Sequence, residues 1–100
     1  MTANRATDAR EMRLAARERL REALDSPLLA HGYLPTESIE ERDGRLVVEL
    51  RKDRQELPAA YAAKAILITE VLTAYPGYEV APTKGPTASS VAWVLTKKGP

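Results

Sequence analysis

The sequence predicts an α+β fold of two layers, αββαββ in order, with a four-stranded antiparallel sheet and two helices packed on one of its faces. Three observations predict it. An Asp43-Gly44 pair stands between two alternating apolar runs, two stretches place apolar residues at three- and four-residue spacing, and a second pair of alternating runs follows Pro76-Gly77. With 100 residues, the chain has room for one hydrophobic core and too little for two.

The first seven residues carry no periodicity and are expected to fray, leaving residues 8–98 as the single domain. From residue 8 onward Ala9, Met12, Ala16, Leu20, Ala23 and Leu24 fall on one stripe, which predicts a helix over 8–25. Ser26-Pro27 is expected to end it, since proline lacks an N–H and disfavours helical geometry at the residue before it. A fresh short turn over 28–31 would then close at Gly32 in the left-handed conformation.

Asp43-Gly44 is the preferred two-residue hairpin turn, because both positions must reach positive φ. The turn sets the register, opposing Arg42 to Arg45, Glu41 to Leu46, Glu40 to Val47, Ile39 to Val48 and Ser38 to Glu49. That register gathers Ile39, Leu46, Val48 and Leu50 on one face and leaves Ser38, Glu40, Arg42, Arg45 and Glu49 on the other with Val47. Turn chemistry and hydrophobic pattern agree, and a slip of one residue would undo the agreement.

A capping-box spacing at Asp53-Arg54-Gln55-Glu56, with Pro58 in the first turn, predicts a second helix running to about residue 75. Its apolar face holds Ala60, Tyr61, Ala65, Leu67, Ile68, Val71, Leu72 and Tyr75. Lys64 lies in the middle of that face, where an ammonium needs a partner. It is expected to snorkel past the helix start or to pair with Glu41. The last hairpin is predicted as 78–81 against 91–97, with Tyr78, Val80, Val91, Trp93 and Leu95 toward the core and Ala81, Ala92 and Val94 outward. The order of the strands does not follow from the sequence.

Composition narrows the function classes. There is no cysteine, which excludes disulfides, thiolate metal sites and a thiol nucleophile. The polar start lacks the apolar segment of a signal peptide, and no apolar run reaches the roughly 20 residues of a membrane span, so a cytoplasmic protein is expected. Arginine outnumbers lysine and alanine is abundant, as in proteins of GC-rich bacterial or phage genomes. The net charge of +1 is not that of an obvious polyanion binder. His31 is the only histidine and sits at an expected helix end, where a cap role stands ahead of catalysis because no serine or carboxylate is placed beside it. Without a second histidine no metal site is expected, and no cofactor motif occurs. The expectation is a protein without enzymatic activity.

What remains is surface. Arg10, Arg13, Arg17 and Arg21 line one flank of the first helix, with acidic residues on its far side, and such a ridge can meet phosphates or an acidic partner. The competing reading is a solvated face whose stems cover the edge of the core. Ile66 is a large apolar residue on the polar side of the second helix, and Val47 and Val94 are bulky outward residues of the sheet. The loop from Thr83 to Ser90 carries hydroxyls, Lys84 and a glycine, and reads as a hairpin tip.

The stretch 91–99, an apolar strand leaving through Leu95-Thr96 into Lys97, Lys98 and Gly99, resembles the second wing strand and exit of MarR-type winged-helix regulators. The preceding elements depart from the family, since a hairpin stands where a helix-turn-helix belongs. Two functional expectations follow. The first is a small regulatory, adaptor or assembly module that binds a protein partner, or a second copy of itself in a homo-oligomer, through Arg10, Arg13, Arg17, Arg21, Val47, Ile66 and Val94. The second is nucleic-acid binding through the helix flank together with Lys84, Lys97 and Lys98.

Overall fold

The computed structural model describes residues 5–34, 36–52, 55–84 and 90–98, with side chains described from Leu14 onward except at Lys84. The order is α1 (Arg5–Ala30), β1 (Ser38–Arg42), β2 (Arg45–Arg51), α2 (Pro58–Ala74), β3 (Tyr78–Lys84) and β4 (Ser90–Lys97). The strands form one antiparallel sheet in the order β1-β2-β4-β3. The α+β class, the αββαββ order and the four-stranded antiparallel sheet follow the sequence expectation.

The first hairpin has the register its turn requires, from Arg42 opposite Arg45 to Ser38 opposite Glu49. Asp43 at φ 51° and Gly44 at φ 79° both take the left-handed region, as a two-residue turn of this hand demands. The Gly44 N–H is capped by Glu41 Oε1 at 3.0 Å. Ile39, Leu46, Val48 and Leu50 are buried together.

Helix α1 departs from expectation at both ends. It begins at Arg5, inside the segment expected to fray, and it continues through Pro27 to Ala30. An interior proline costs about 3 kcal/mol. Two effects offset that cost. Leu28 is completely buried beside Leu20 and Leu24, one turn apart each, and burying such a side chain is worth about 2 kcal/mol. The end is also closed by a Schellman arrangement, with Tyr33 N–H donating to Leu28 O at 2.9 Å, Gly32 N–H to Leu29 O at 3.0 Å, and Gly32 at φ 81°. His31 Nδ1 donates to Pro27 O at 2.9 Å, a carbonyl that also accepts from the His31 N–H at 3.2 Å, in keeping with its expected place at a helix end.

Helix α2 starts later than the capping box implied. Leu57 occupies the cap position and has no side-chain cap bond, while Pro58 takes the first turn. Of the capping box, Asp53 and Arg54 lie outside the described residues. The buried spine of α2 is Lys64, Ile68 and Leu72, with Tyr61, Ala65, Leu67, Val71 and Tyr75 packed around it.

The second hairpin is longer than expected. Strand β3 runs on through Pro82 to Lys84, because an edge strand has one backbone side without a partner and tolerates a missing N–H. Trp93 and Leu95 of β4 reach the core, and Trp93 Nε1 donates to Thr69 Oγ1 of α2 at 3.1 Å. The core is one cluster in which Leu20, Leu24 and Leu28 of α1 and Ile68 and Leu72 of α2 meet the same face of the sheet. Among the described residues, its other face carries no helix.

Candidate functional site

The uncovered face is set by the register. Across the central strands Val47 stands opposite Val94 and Glu49 opposite Ala92. On the outer strands Glu40 flanks Val47, Ala81 flanks Val94 and Thr83 flanks Ala92. Val47 and Val94, each picked from its own alternation, are thus brought into direct contact by a pairing between segments far apart in the chain. Ala92 was expected outward and does lie on this face, yet it is only 4% exposed. A methyl on a central strand is overshadowed by taller neighbours.

These residues floor a trough of about 780 Å³ that is walled by Ser38, Glu40, Arg42, Glu49 and Arg51. Arg42 Nε donates to Glu40 Oε2 at 3.0 Å and Arg51 Nε to Glu49 Oε1 at 2.7 Å. Such pairs between neighbours on a strand add little stability. Their effect is to hold the long side chains against the rim. Alternation assigns this face Arg42, Arg45 and Arg51 against Glu40, Glu49 and Glu79, three charges of each sign. Of the wall residues, Ser38, Glu40, Arg42 and Glu49 were visible in the sequence as the polar side of the first hairpin. Their grouping around Val94 and Ala92 was not, because it depends on strand order.

The other expected site residues do not gather. Arg17 and Arg21 are half-buried on the helix layer, and Arg21 lies close enough to act on the Glu37 carboxyl. The side chains of Arg10 and Arg13 lie outside the described residues. Ile66, 61% exposed, borders an apolar crevice of about 380 Å³ with Pro82, Val91 and Trp93, between α2 and the edge of the sheet. Lys97 stands opposite Tyr78 and Lys84 opposite Val91, at the two ends of the hairpin. Six residues of strand set their backbones about 20 Å apart. Lys84 belongs to this alternative site only by backbone position, and its side chain lies outside the described residues. Within the tip of the second hairpin, residues 85–89 also lie outside them.

Lys64 is the residue most unlike its surroundings. It is 3% exposed, and its Nζ donates to Leu34 O at 2.7 Å and to Thr36 Oγ1 at 2.6 Å. It therefore reaches the segment before β1. Glu41, proposed above as its partner, is five residues beyond Thr36 along an extended strand, or about 16 Å. A shallow cavity of about 570 Å³ adjoins Lys64, with Tyr33, Arg51, Lys52, Gln55 and Glu56 on its walls. Nearby, burial pushes the Tyr61 hydroxyl above its ordinary value, while that hydroxyl donates to Leu50 O at 2.9 Å.

Neither family models, curated proteins nor solved structures provide a match to this chain. The winged-helix likeness of 91–99 finds no support in the fold either. The β1–β2 hairpin stands between α1 and α2, where that family has a helix-turn-helix. Among the described residues no group of three or more His, Cys, Asp or Glu could hold a metal ion, and no helix is long and apolar enough to cross a membrane.

Proposed function

We propose that this protein is a small interaction module without chemistry of its own, and that its uncovered sheet face docks against a second copy of the same chain. The observation that carries the reading is the composition of that face, a floor of Val47, Ala81, Ala92 and Val94 within a rim of three arginines and three glutamates. A face with no net charge selects neither a polyanion nor a strongly acidic protein. It is complementary to a surface of its own kind, where each arginine can meet a glutamate around an apolar centre.

The edges favour face-to-face docking over strand addition. Strand β1 is short and carries Glu40, Glu41 and Arg42, and β3 contains Pro82, both of which discourage pairing with another chain. Four strands by six residues offer about 350 to 400 Å² per copy, below the roughly 800 Å² per partner of a standard interface, so a weak dimer is expected. Sedimentation velocity across about a hundredfold range of concentration tests this by mass action. The expected result is a monomer–dimer equilibrium that Val94→Glu abolishes while leaving the circular dichroism spectrum unchanged. A monomer at every concentration would remove the self-docking reading.

A further inference from the structure

Glu37 lies just before β1 and is 4% exposed, yet neither of its carboxyl oxygens has a hydrogen-bond partner. Asp25 Oδ1, on the last stretch of α1, is likewise buried without one. The two carboxyls are within hydrogen-bonding reach of each other. As a pair of ionised carboxylates they would be acceptors facing acceptors in a buried site, which is a costly arrangement. One proton turns the same geometry into an O–H···O bond.

We propose that Glu37 holds this proton and donates it to Asp25, and that the resulting bond is a latch fastening the end of α1 to the start of β1 only while Glu37 is neutral. The charged groups around the latch are few. Arg21 of α1 acts on Glu37 and favours its ionised form. Arg17, one turn earlier on the same flank, has its Nε buried without a partner. Lys64 of α2 is held at Thr36, the residue before Glu37. From β2, the register extended by one residue brings the apolar Leu50 opposite. Burial first, and the bond to Asp25 second, raise the Glu37 carboxyl from 4.5 to about 7, against the pull of Glu37's own backbone N–H and the smaller pull of Arg21.

The direction of the pH dependence follows. Below pH 4.5 the folded and unfolded chains both hold the proton and the latch contributes in full. Between 4.5 and about 7 the folded state keeps a proton that the unfolded chain has released, so each unit of pH raises the unfolding constant up to tenfold. Above about 7 the contribution is gone, and an ionised Glu37 faces Asp25.

Urea denaturation of the full chain between pH 4 and pH 8, compared with Glu37→Gln, tests the latch. The glutamine amide can donate to Asp25 at every pH. The unfolding constant of the native chain is expected to rise roughly a hundredfold across this range, with little change for Glu37→Gln, which should be the more stable of the two at pH 8. Parallel profiles would overturn the proposal. If Glu37→Gln does not fold, a carboxyl-carbon NMR titration of the native chain decides. A Glu37 midpoint close to 7, moving in step with the amides of Leu28 and Ile39, supports the latch. A midpoint near 4.5 overturns it.

Discussion

Lys64 shows how a residue that breaks a pattern is accommodated. Its stem occupies a core position on α2, in line with Ile68 and Leu72, while its ammonium leaves the core to meet the chain between α1 and β1. Leu34 and Thr36 are themselves exposed, so their oxygens return to water if the lysine is lost. Lys64→Met is accordingly expected to cost about 1 kcal/mol or less, whereas Lys64→Glu, which sets a buried carboxylate against the Leu34 carbonyl with only the Thr36 hydroxyl able to donate to it, should cost several times as much. Urea denaturation of the two variants at neutral pH separates these outcomes, and equal losses would refute the bonding scheme. Its position on the apolar face was legible in the sequence. Its partners were not, because the segment before β1 reaches α2 only through the fold. The same holds for Glu37 and Asp25, twelve positions apart and joined by the way α1 turns back onto the sheet.

Among the elements, the first hairpin is the most locally determined. Its register follows from two dihedral angles, and an added Cβ at Gly44 would meet nothing within 4 Å. Any loss in Gly44→Ala is therefore backbone strain, expected at about 1 to 2 kcal/mol for a left-handed residue with a side chain. Thermal or urea unfolding measures it, and an unchanged stability would mean that the turn tolerates another conformation. Helix α1 is the counter-example. A rule about proline predicted a break that burial of Leu28 and the closing bonds of Gly32 and Tyr33 overrode. The capping box before α2 misled for a related reason, since the helix starts where Pro58 permits and where Tyr61 can cover the end of β2.

For the whole molecule, the packing of both helices on one face decides both where the core lies and which surface is left open. Leu72 is completely buried where α2 meets the sheet, so Leu72→Ala is expected to cost about 2 to 5 kcal/mol in urea denaturation. A loss well under 1 kcal/mol would show that the cavity closes without strain. The same packing leaves the opposite face bare, which is why the trough around Val47 and Val94 exists at all. It also separates the expected site residues, placing Ile66, Arg17 and Arg21 on the helix layer and Val47 and Val94 on the far side of the sheet.

By itself the sequence determined the elements and their faces, because helix periodicity, strand alternation and the φ preference of Asp43-Gly44 act between residues a few positions apart. The outward placement of Val47 and the inward placement of Trp93 are of this kind. Only the tertiary structure decided the order β1-β2-β4-β3, the contact of Val47 with Val94 and the meeting of Glu37 with Asp25. Each joins segments whose separation in the chain leaves local rules silent, and each is settled by which packing buries the most apolar surface at once.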